Sequence, residues 1–175
     1  MTTLELAAIG EAGACYAILD LGRRFQREQG FTQWTEDYPN PDTVRGDIRA
    51  GKGYAVRVDG ALAGYLCLDF DGEPAYAVID GAWSAERKYA VVHRMAFLPQ
   101  FRGMGLADTT WRLIEARCRA QGVDYIRADT DFPNARMQHI LDKNGFRRCG
   151  VITFQGSGKI AYDKQLRAPE EGADK

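Results

Sequence analysis

The sequence predicts a single α/β (α+β) domain in which helices flank one mixed sheet. A chain of 175 residues suits one hydrophobic core, since it buries about 70% of the surface that it exposes when unfolded. Hydrophobic residues at 45% and charged residues at 27% match an ordinary globular protein rather than a disordered or fibrous one. Strand and helix patterns alternate, and no repeat or linker divides residues 1–166, the expected domain. The charged residues 167–175 are expected to form a mobile tail.

Residues 1–87 predict a first strand, two helices and a β-hairpin. Apolar positions of the first helix recur at helical spacing, and Gly30 supplies its C-terminal stop. Asp59-Gly60, between two apolar runs, is typical of a tight hairpin turn. The elements expected here are a strand at 3–8, helices at 11–29 and 41–50, the second capped by Asn40, and strands at 54–58 and 61–69.

Residues 88–166 predict strands and helices in alternation around a central strand. Branched and aromatic residues fill that strand, and Pro99 ends it. Glycines close both helices, at Gly122 and at Asn144-Gly145. The elements expected here are the central strand at 88–98, a helix at 106–121, a strand at 125–130, a helix from 133 or 134 to 143, and a closing hairpin at 148–166.

The charge balance and the cysteine pattern exclude several classes of protein. The 23 basic and 24 acidic residues sum to −1, which removes the electrostatic footprint expected of a nucleic-acid or anionic-membrane binder. The four cysteines form no C-x-x-C pair, and the first twenty residues lack the charge and the apolar run of a leader. We therefore expect free thiols, a cytoplasmic location, no metal, and no nucleic-acid or membrane partner.

Residues 95–107 (MAFLPQFRGMGLA) are the most informative about function. A strand ends there, Gly103 and Gly105 follow one residue apart, and a helix begins. Glycines let the main chain turn with its N–H groups pointing inward, and a helix start adds unpartnered donors and a positive dipole end. This arrangement is typical of a phosphate or diphosphate site, although the glycines alone also fit a tight turn without a ligand.

Spacing separates this loop from two other glycine-rich phosphate sites. A dinucleotide fingerprint needs a small residue at position 108, where Asp108 would place a carboxylate beside the diphosphate. The segment Gly156-Ser157-Gly158-Lys159 lacks the first glycine of a P-loop, a position that Thr153 occupies, and it lies between strands. Neither motif is satisfied.

Gln100-Phe101-Arg102-Gly103-Met104-Gly105 resembles the Q/R-x-x-G-x-G/A signature of the GNAT superfamily, the acetyl-CoA-dependent N-acetyltransferases. The strand His93 to Phe97, Asn134, and Asn144-Gly145-Phe146 are also similar to that family's cofactor half. The resemblance covers about residues 88–154 and, weakly, the hairpin at 54–69. It implies a GNAT-like, mostly antiparallel sheet with a splayed central strand pair, an acceptor side at about residues 1–87 and an acetyl-CoA side at about 88–154.

The resemblance also implies how acetyl-CoA is bound as a co-substrate. Main-chain N–H groups from Arg102 to Ala107 would hold the diphosphate. The preceding strand would carry a bulge and splay from its neighbour, so that the pantetheine arm pairs with its backbone like an added strand. The cofactor-binding residues expected on this basis are Met95, Ala96, Phe97, Gln100, Arg102, Gly103, Met104, Gly105, Leu106, Ala107 and Asn134.

Acetyl transfer to an amine needs a base, because an alkyl ammonium titrates near about pH 10. His93 is the first candidate, since strand alternation places it on one face with Val91 and Met95. A structural histidine is the alternative reading of the same position. Asp129, at the end of the adjacent strand, either orients His93, acts itself, or is a solvated carboxylate without a role.

One position departs from the family pattern. The family often places a tyrosine on the helix after the asparagine to protonate the thiolate, and the matching residue here is Leu141. Water or Tyr125 would have to supply that proton. The departure therefore leaves two functions open: an N-acetyltransferase working by direct attack in a ternary complex, and a catalytically weak or inactive CoA-binding sensor or interaction module. A thiol protein using Cys118 or Cys149 has little support.

Aromatic residues before and just after residue 88 are candidates for the acceptor site. Aromatic faces and carboxylates together suit a cationic amine, from a small molecule or a peptide, although such aromatics are more often core residues. The expected substrate-binding residues are Trp34, Tyr38, Trp83 and Tyr89, interleaved with Glu36, Asp37, Asp80 and Glu86. The acceptor's identity stays open, as does a homodimer.

Overall fold

A computed structural model describes residues 1–167, so most of the predicted tail lies outside the described residues. Within them, eight strands form one mostly antiparallel sheet in the order β1-β2-β3-β5-β6-β8-β7-β4. The strands are β1 Thr2–Leu6, β2 Gly53–Val58, β3 Ala61–Asp69, β4 Asp80–Gly81, β5 Ala90–Phe97, β6 Tyr125–Thr130, β7 Arg147–Phe154 and β8 Ser157–Gln165. The helices are α1 Ala12–Glu28, α2 Pro41–Arg49, α3 Leu106–Ala120 and α4 Ala135–Lys143.

The sheet opens at its centre, between β5 and β6. These two strands run parallel and pair only at Ala90 with Ile126 and at Val91 with Arg127. Beyond Val91, β5 continues beside β3 while β6 continues beside β8, so a gap widens between them. The splayed central pair implied by the family resemblance is therefore confirmed.

Helices cover the sheet on both faces and leave the gap accessible. On one face, α3 and α4 bury Trp111, Ile114 and Leu141 against the sheet. On the other face, α1 buries Cys15, Ile18 and Leu19 beside Trp34 and Ala96 of β5. The elements on the two faces of the gap are therefore anchored in separate hydrophobic clusters.

Four short elements were not predicted from the sequence. They are 3₁₀ turns at Ile9–Glu11, Pro74–Ala77 and Pro99–Phe101, and the two-residue edge strand β4. All are too short to show a periodic pattern. The central strand is also shorter than expected, since residues 88–98 include loop residues at each end of β5.

Candidate active site

Strand β5 carries a bulge at Arg94. Tyr65 pairs with Ala96 and Cys67 pairs with His93, so two residues of β5 lie opposite one residue of β3. Arg94 has a φ of 54°, an unusual conformation for a residue with a side chain. Its guanidinium donates to Asp47 Oδ1 at 2.6 Å and Oδ2 at 3.0 Å, and to the Tyr38 hydroxyl. This ion pair holds the bulge in place.

The bulge reverses the side-chain alternation along β5. Val91 packs with the 3₁₀ turn and β7 on one face, and His93 stacks on Phe154 of β7, so the two point to the same side. Met95 packs with Val92 against α3 and α4 on the opposite face. The expectation that Met95 shares a face with His93 is therefore wrong, because it assumed a regular strand.

Main-chain groups of β5 face the gap beyond the bulge. The Leu98 N–H donates to the Ala63 carbonyl of β3 at 2.8 Å. Since successive N–H groups of a strand point to opposite sides, those of Phe97 and Met95 point away from β3. β6 has no residue in register with either of them. An extended ligand lying in the gap would find these groups as partners.

The loop between β5 and α3 presents a row of main-chain donors. Gly103 and Gly105 have φ values of 76° and 71°, and a Cβ built on either would have no neighbour within 4 Å. Among the described residues, no backbone carbonyl outside α3 accepts from the N–H groups of residues 103–108. These donors sit at the helix N-terminus, where the dipole also favours an anion. The loop therefore fits a diphosphate.

A cleft of about 460 Å³ runs from this loop to the gap in the sheet. Of the expected cofactor-binding residues, nine line it: Met95, Ala96, Phe97, Arg102, Gly103, Gly105, Leu106, Ala107 and Asn134. Gln100 and Met104 are exposed and do not line it. Phe25 and Gly22 of α1 form the facing wall. Asn134 caps α4 by accepting from the Met137 N–H, and its Nδ2 donates to Gln33 Oε1 at 2.8 Å.

His93 has a carboxylate partner that the sequence did not indicate. Its Nε2 lies 3.4 Å from Glu73 Oε2, and both side chains are largely buried. The other oxygen, Glu73 Oε1, accepts from the Ala75 N–H at the start of the 3₁₀ turn. The hydrogen bond with His93 lowers the pKa of Glu73. Glu73 is therefore a charged group suited to orient and stabilise a protonated imidazole.

Asp129 is not the solvated carboxylate that one reading of the sequence described. The Tyr76 hydroxyl donates to Asp129 Oδ2 at 2.6 Å, and Tyr76 is completely enclosed. Burial raises the pKa of Asp129, while Tyr76 and His93 partly offset that effect. In the described part of the chain Asp129 forms no hydrogen bond or ion pair with His93, whose Nε2 faces Glu73. Glu73 contacts His93 and Tyr76 contacts Asp129, so neighbouring residues of one short segment hold both candidate catalytic residues.

A smaller cavity of about 90 Å³ joins the cleft where β5 and β6 separate. His93, Asp129, Trp34 and Tyr38 line it, and Trp34, Met95 and Asn134 line both spaces.

Trp83 and Tyr89, the other two expected acceptor residues, do not line either space. The centres of their rings lie 4.3 and 4.2 Å from the buried guanidinium of Arg127, which they enclose next to Tyr76. The acidic residues expected with them, Glu36, Asp37, Asp80 and Glu86, are exposed.

Neither side chain considered as a proton donor to the departing thiolate can fill that role. Leu141 is buried and lines the cavity at the position where the family often has tyrosine. Tyr125 lies at the opposite end of β6, where its hydroxyl donates to Asp163 at 2.6 Å. The suggestion that Tyr125 protonates the thiolate is therefore wrong. His139 is exposed on α4.

Comparison with known proteins identifies the family. The family model described as Acetyltransferase (GNAT) family matches residues 17–146, most of the chain. This chain belongs to the GNAT acetyltransferase family. A GNAT acetyltransferase from Streptococcus agalactiae has 32% sequence identity and a TM-score of 0.87, covering 95% of this chain and 96% of that one. A search of curated proteins found no match.

Two more distant structures share the GNAT fold. A GNAT-family acetyltransferase from Listeria monocytogenes has 21% identity and a TM-score of 0.75, with 94% of this chain and 95% of that chain covered. The aminoglycoside acetyltransferase AAC(6')-Ib, solved with ribostamycin and coenzyme A, has 20% identity and a TM-score of 0.69. That alignment covers 94% of this chain and 93% of the other.

Residues 1–167 of this GNAT chain contain no cluster of three or more His, Cys, Asp or Glu side chains able to hold a metal ion. In the same part of the chain, no helix has the length and apolar character needed to cross a bilayer. All four cysteines are free thiols and buried, and burial raises the pKa of Cys118 to about 12 and that of Cys149 to about 11. These thiols are therefore unreactive as nucleophiles at neutral pH.

Asp129→Asn is expected to stabilise the folded protein at neutral pH. A carboxyl group whose pKa is raised by folding binds its proton more tightly in the folded state. Asp129 therefore contributes to the stability of the folded state when the pH is below the ordinary pKa of Asp. This contribution is lost as the pH rises through the raised pKa of Asp129 in the folded protein. Asparagine keeps an oxygen for the Tyr76 hydroxyl and has no charge to bury. Urea unfolding should show the variant more stable than wild type at pH 7, with the difference vanishing near about pH 3.

The exposed Asp142 of α4 provides the control, because Asp142→Asn removes the same charge from the surface. Its stability should follow that of wild type across the pH range. A variant Asp129→Asn that is less stable than wild type at pH 7 would contradict the pKa direction assigned to Asp129.

Proposed function

We propose that this protein is an N-acetyltransferase that moves an acetyl group from acetyl-CoA to a primary amine by direct attack in a ternary complex. The observation that carries the proposal is a pair of adjoining spaces that share Trp34, Met95 and Asn134: the cleft beside the free amides of residues 103–108, and the cavity lined by His93 and Asp129. A diphosphate at one end and an amine at the other would meet at the gap. The bound acetyl-CoA supplies an activated thioester there.

His93 is proposed as the base that takes the proton of the attacking amine, with Glu73 as its positioning residue. Asp129 lines the same cavity and, when ionised, attracts the ammonium form of the acceptor. The N–H groups facing the gap at Met95 and Phe97 stabilise negative charge that develops on the acetyl oxygen. As the amine nitrogen bonds to the acetyl carbon, the carbon–sulfur bond breaks and the thiolate takes a proton from water.

The amine acceptor has support from a structural neighbour. The aminoglycoside acetyltransferase AAC(6')-Ib shares the fold and has been solved in complex with coenzyme A and kanamycin. In the present protein, Trp34 and Tyr38 line the cavity with Asp129, and an aromatic and acidic lining suits a cation. We propose a small-molecule or peptide amine as the acceptor. The cytoplasmic location and a homodimer stay predictions.

Leu141 favours a second candidate function, a CoA-binding module with little or no turnover. This side chain is buried where the family often has a proton donor, and it has no group that could protonate a thiolate. Such a module would bind acetyl-CoA as well as an enzyme does. The two functions differ only in the release of free thiol.

Thermal unfolding followed by a thiol-release assay tests both functions. Acetyl-CoA should raise the melting temperature, because a ligand at 100 times its Kd stabilises the folded state by about 2.7 kcal/mol, whereas NAD and ATP should raise it far less. A panel of amines, covering amino acids, polyamines, aminoglycosides and peptides, should then release CoA thiol with at least one acceptor. Binding without release would favour the module, and no acetyl-CoA shift would exclude both functions.

A further inference from the structure

A buried lysine lines the smaller cavity, at the acceptor end of the site. Lys159 of β8 is 8% exposed and lines this cavity together with His93 and Asp129. Its Nζ donates to Asp131 Oδ1 at 3.2 Å, the one hydrogen bond that this group makes within residues 1–167. An ammonium group carries three N–H donors, so two of them stay free for a ligand. Asp131 lines neither the cavity nor the cleft, and the cavity wall therefore presents the positive charge of the pair.

Strand pairing places Lys159 and Asp129 on one face of the sheet. Asp129 pairs with Ala161, and Lys159 lies two residues before Ala161 in β8, so all three side chains point to the same side. Diagonal neighbours of this kind on antiparallel strands lie about 7–8 Å apart. Asp129 and Lys159 form no ion pair with each other in the described part of the chain. Two opposite charges therefore face one small space at a distance that a ligand can bridge.

The charge of Lys159 acts on Asp129 across this space. Burial raises the pKa of Asp129, and the hydrogen bond from Tyr76 lowers it. The positive charge of Lys159 also lowers that pKa, which is consistent with the proximity that the strand register gives. Arg94 lines the cavity too, but both oxygens of Asp47 engage its guanidinium, whereas Lys159 has a single carboxylate bond.

This arrangement matches an acceptor that carries both an ammonium and a carboxylate. The ammonium would lie against Asp129, beside His93, and the carboxylate would accept from the free N–H groups of Lys159. The cavity of about 90 Å³ has room for roughly six to nine water molecules at about 10–15 Å³ each, which is close to the number of non-hydrogen atoms in a small amino acid. A polyamine or an aminoglycoside would instead bring further positive charges towards Lys159, which repels them.

We propose that Lys159 is a specificity-determining residue that binds the carboxylate of an amino acid acceptor, whose amine lies at Asp129 and His93. The proposal rests on the proposed acetyltransferase function and names the acceptor class of that same site. The amine of the amino acid attacks the thioester directly, and the product is an N-acetyl amino acid. The carboxylate is unchanged in the reaction, because Lys159 holds it by charge and hydrogen bonding alone.

Steady-state kinetics with paired acceptors tests the role of Lys159. Each common amino acid is compared with the amine that has hydrogen in place of the carboxylate, such as leucine with 3-methylbutylamine. Wild type should show a higher kcat/KM for at least one amino acid than for its matched amine. Lys159→Met should lower that kcat/KM about 10- to 100-fold, the loss expected of a charged hydrogen bond, without lowering kcat/KM for the matched amine. Lys159→Arg, which keeps the charge, should retain the preference for the amino acid.

Two further variants separate carboxylate binding from an effect on folding. Lys159→Met combined with Asp131→Asn removes both members of the ion pair, so no buried carboxylate is left without its partner, and it should show the same selective loss. Lys88→Met removes an exposed lysine that lines neither space, and it should behave like wild type. The Kd for acetyl-CoA should be the same in every variant, because Lys159 does not line the cleft.

The outcomes distinguish this inference from the proposed function. Equal losses for the amino acid and its matched amine would overturn the role of Lys159. So would a wild-type enzyme that prefers the amines without a carboxylate, and in both cases the proposed function would stand. No thiol release with any acceptor would overturn the proposed function, and this inference with it.

Discussion

His93→Ala is expected to lower kcat by on the order of 10²- to 10⁴-fold while leaving the Kd for acetyl-CoA unchanged. The reason is that His93 lines the inner cavity but not the larger cleft, so its removal takes away proton transfer and not cofactor contacts. Thiol release measured under saturating acetyl-CoA and amine gives kcat, and titration gives Kd. The control is Asp142→Asn, which changes an exposed residue of α4 that lines neither space.

Glu73→Gln separates a catalytic His93 from a structural one. A neutral amide cannot pair with the imidazole as the carboxylate does, so the ring is less well oriented and kcat should fall about tenfold while the Kd for acetyl-CoA stays unchanged. Wild-type rates across pH for His93→Ala would show that the histidine only packs against Phe154.

Gly103→Val is expected to abolish the rise in melting temperature that acetyl-CoA causes. A β-branched residue at a φ of 76° is strained, so the loop rearranges and its N–H groups lose their common direction. Gly103 also lines the cleft, so an added side chain takes up room at the loop. Thermal unfolding with and without acetyl-CoA measures the effect.

Gly122→Val is the matched control for this substitution. Gly122 has a φ of 71° and equally open surroundings, but it ends α3 at the far side from the cleft. Both variants should lose about 1–2 kcal/mol of stability without ligand, from backbone strain alone. Only Gly103→Val should lose the response to acetyl-CoA. An undiminished response would remove the loop from the diphosphate site.

Local signals explain what could be predicted from the sequence. The strand, glycine loop and helix start are consecutive in the chain, so residues 95–107 alone indicate an anion site. The hairpin turn at Asp59-Gly60 and the helix cap at Asn40 are equally local, and both are present as expected. For the same reason, element bounds agree to within a few residues.

Non-local contacts explain what could not be predicted. Tyr76 reaches Asp129 from a four-residue turn that has no periodic pattern, Glu73 reaches His93 from the residue just before that turn, and Tyr76 lies 53 residues before its partner. The bulge depends on Asp47, 47 residues before Arg94, so a regular strand was the natural prediction. Trp83 was expected in the acceptor site, but it packs against the buried guanidinium of Arg127. That contact depends on the fold and has no local signal in the sequence.

The ion pair between Arg94 and Asp47 joins α2 to the bulge of β5. Asp47 belongs to α2, and Tyr38, which shares the guanidinium, lies in the segment before that helix. A change of sequence that moves α2 would therefore also move the strand backbone that we propose aligns the thioester. Engineering of new acceptor preferences around Tyr38 would have to preserve this one pair of charges.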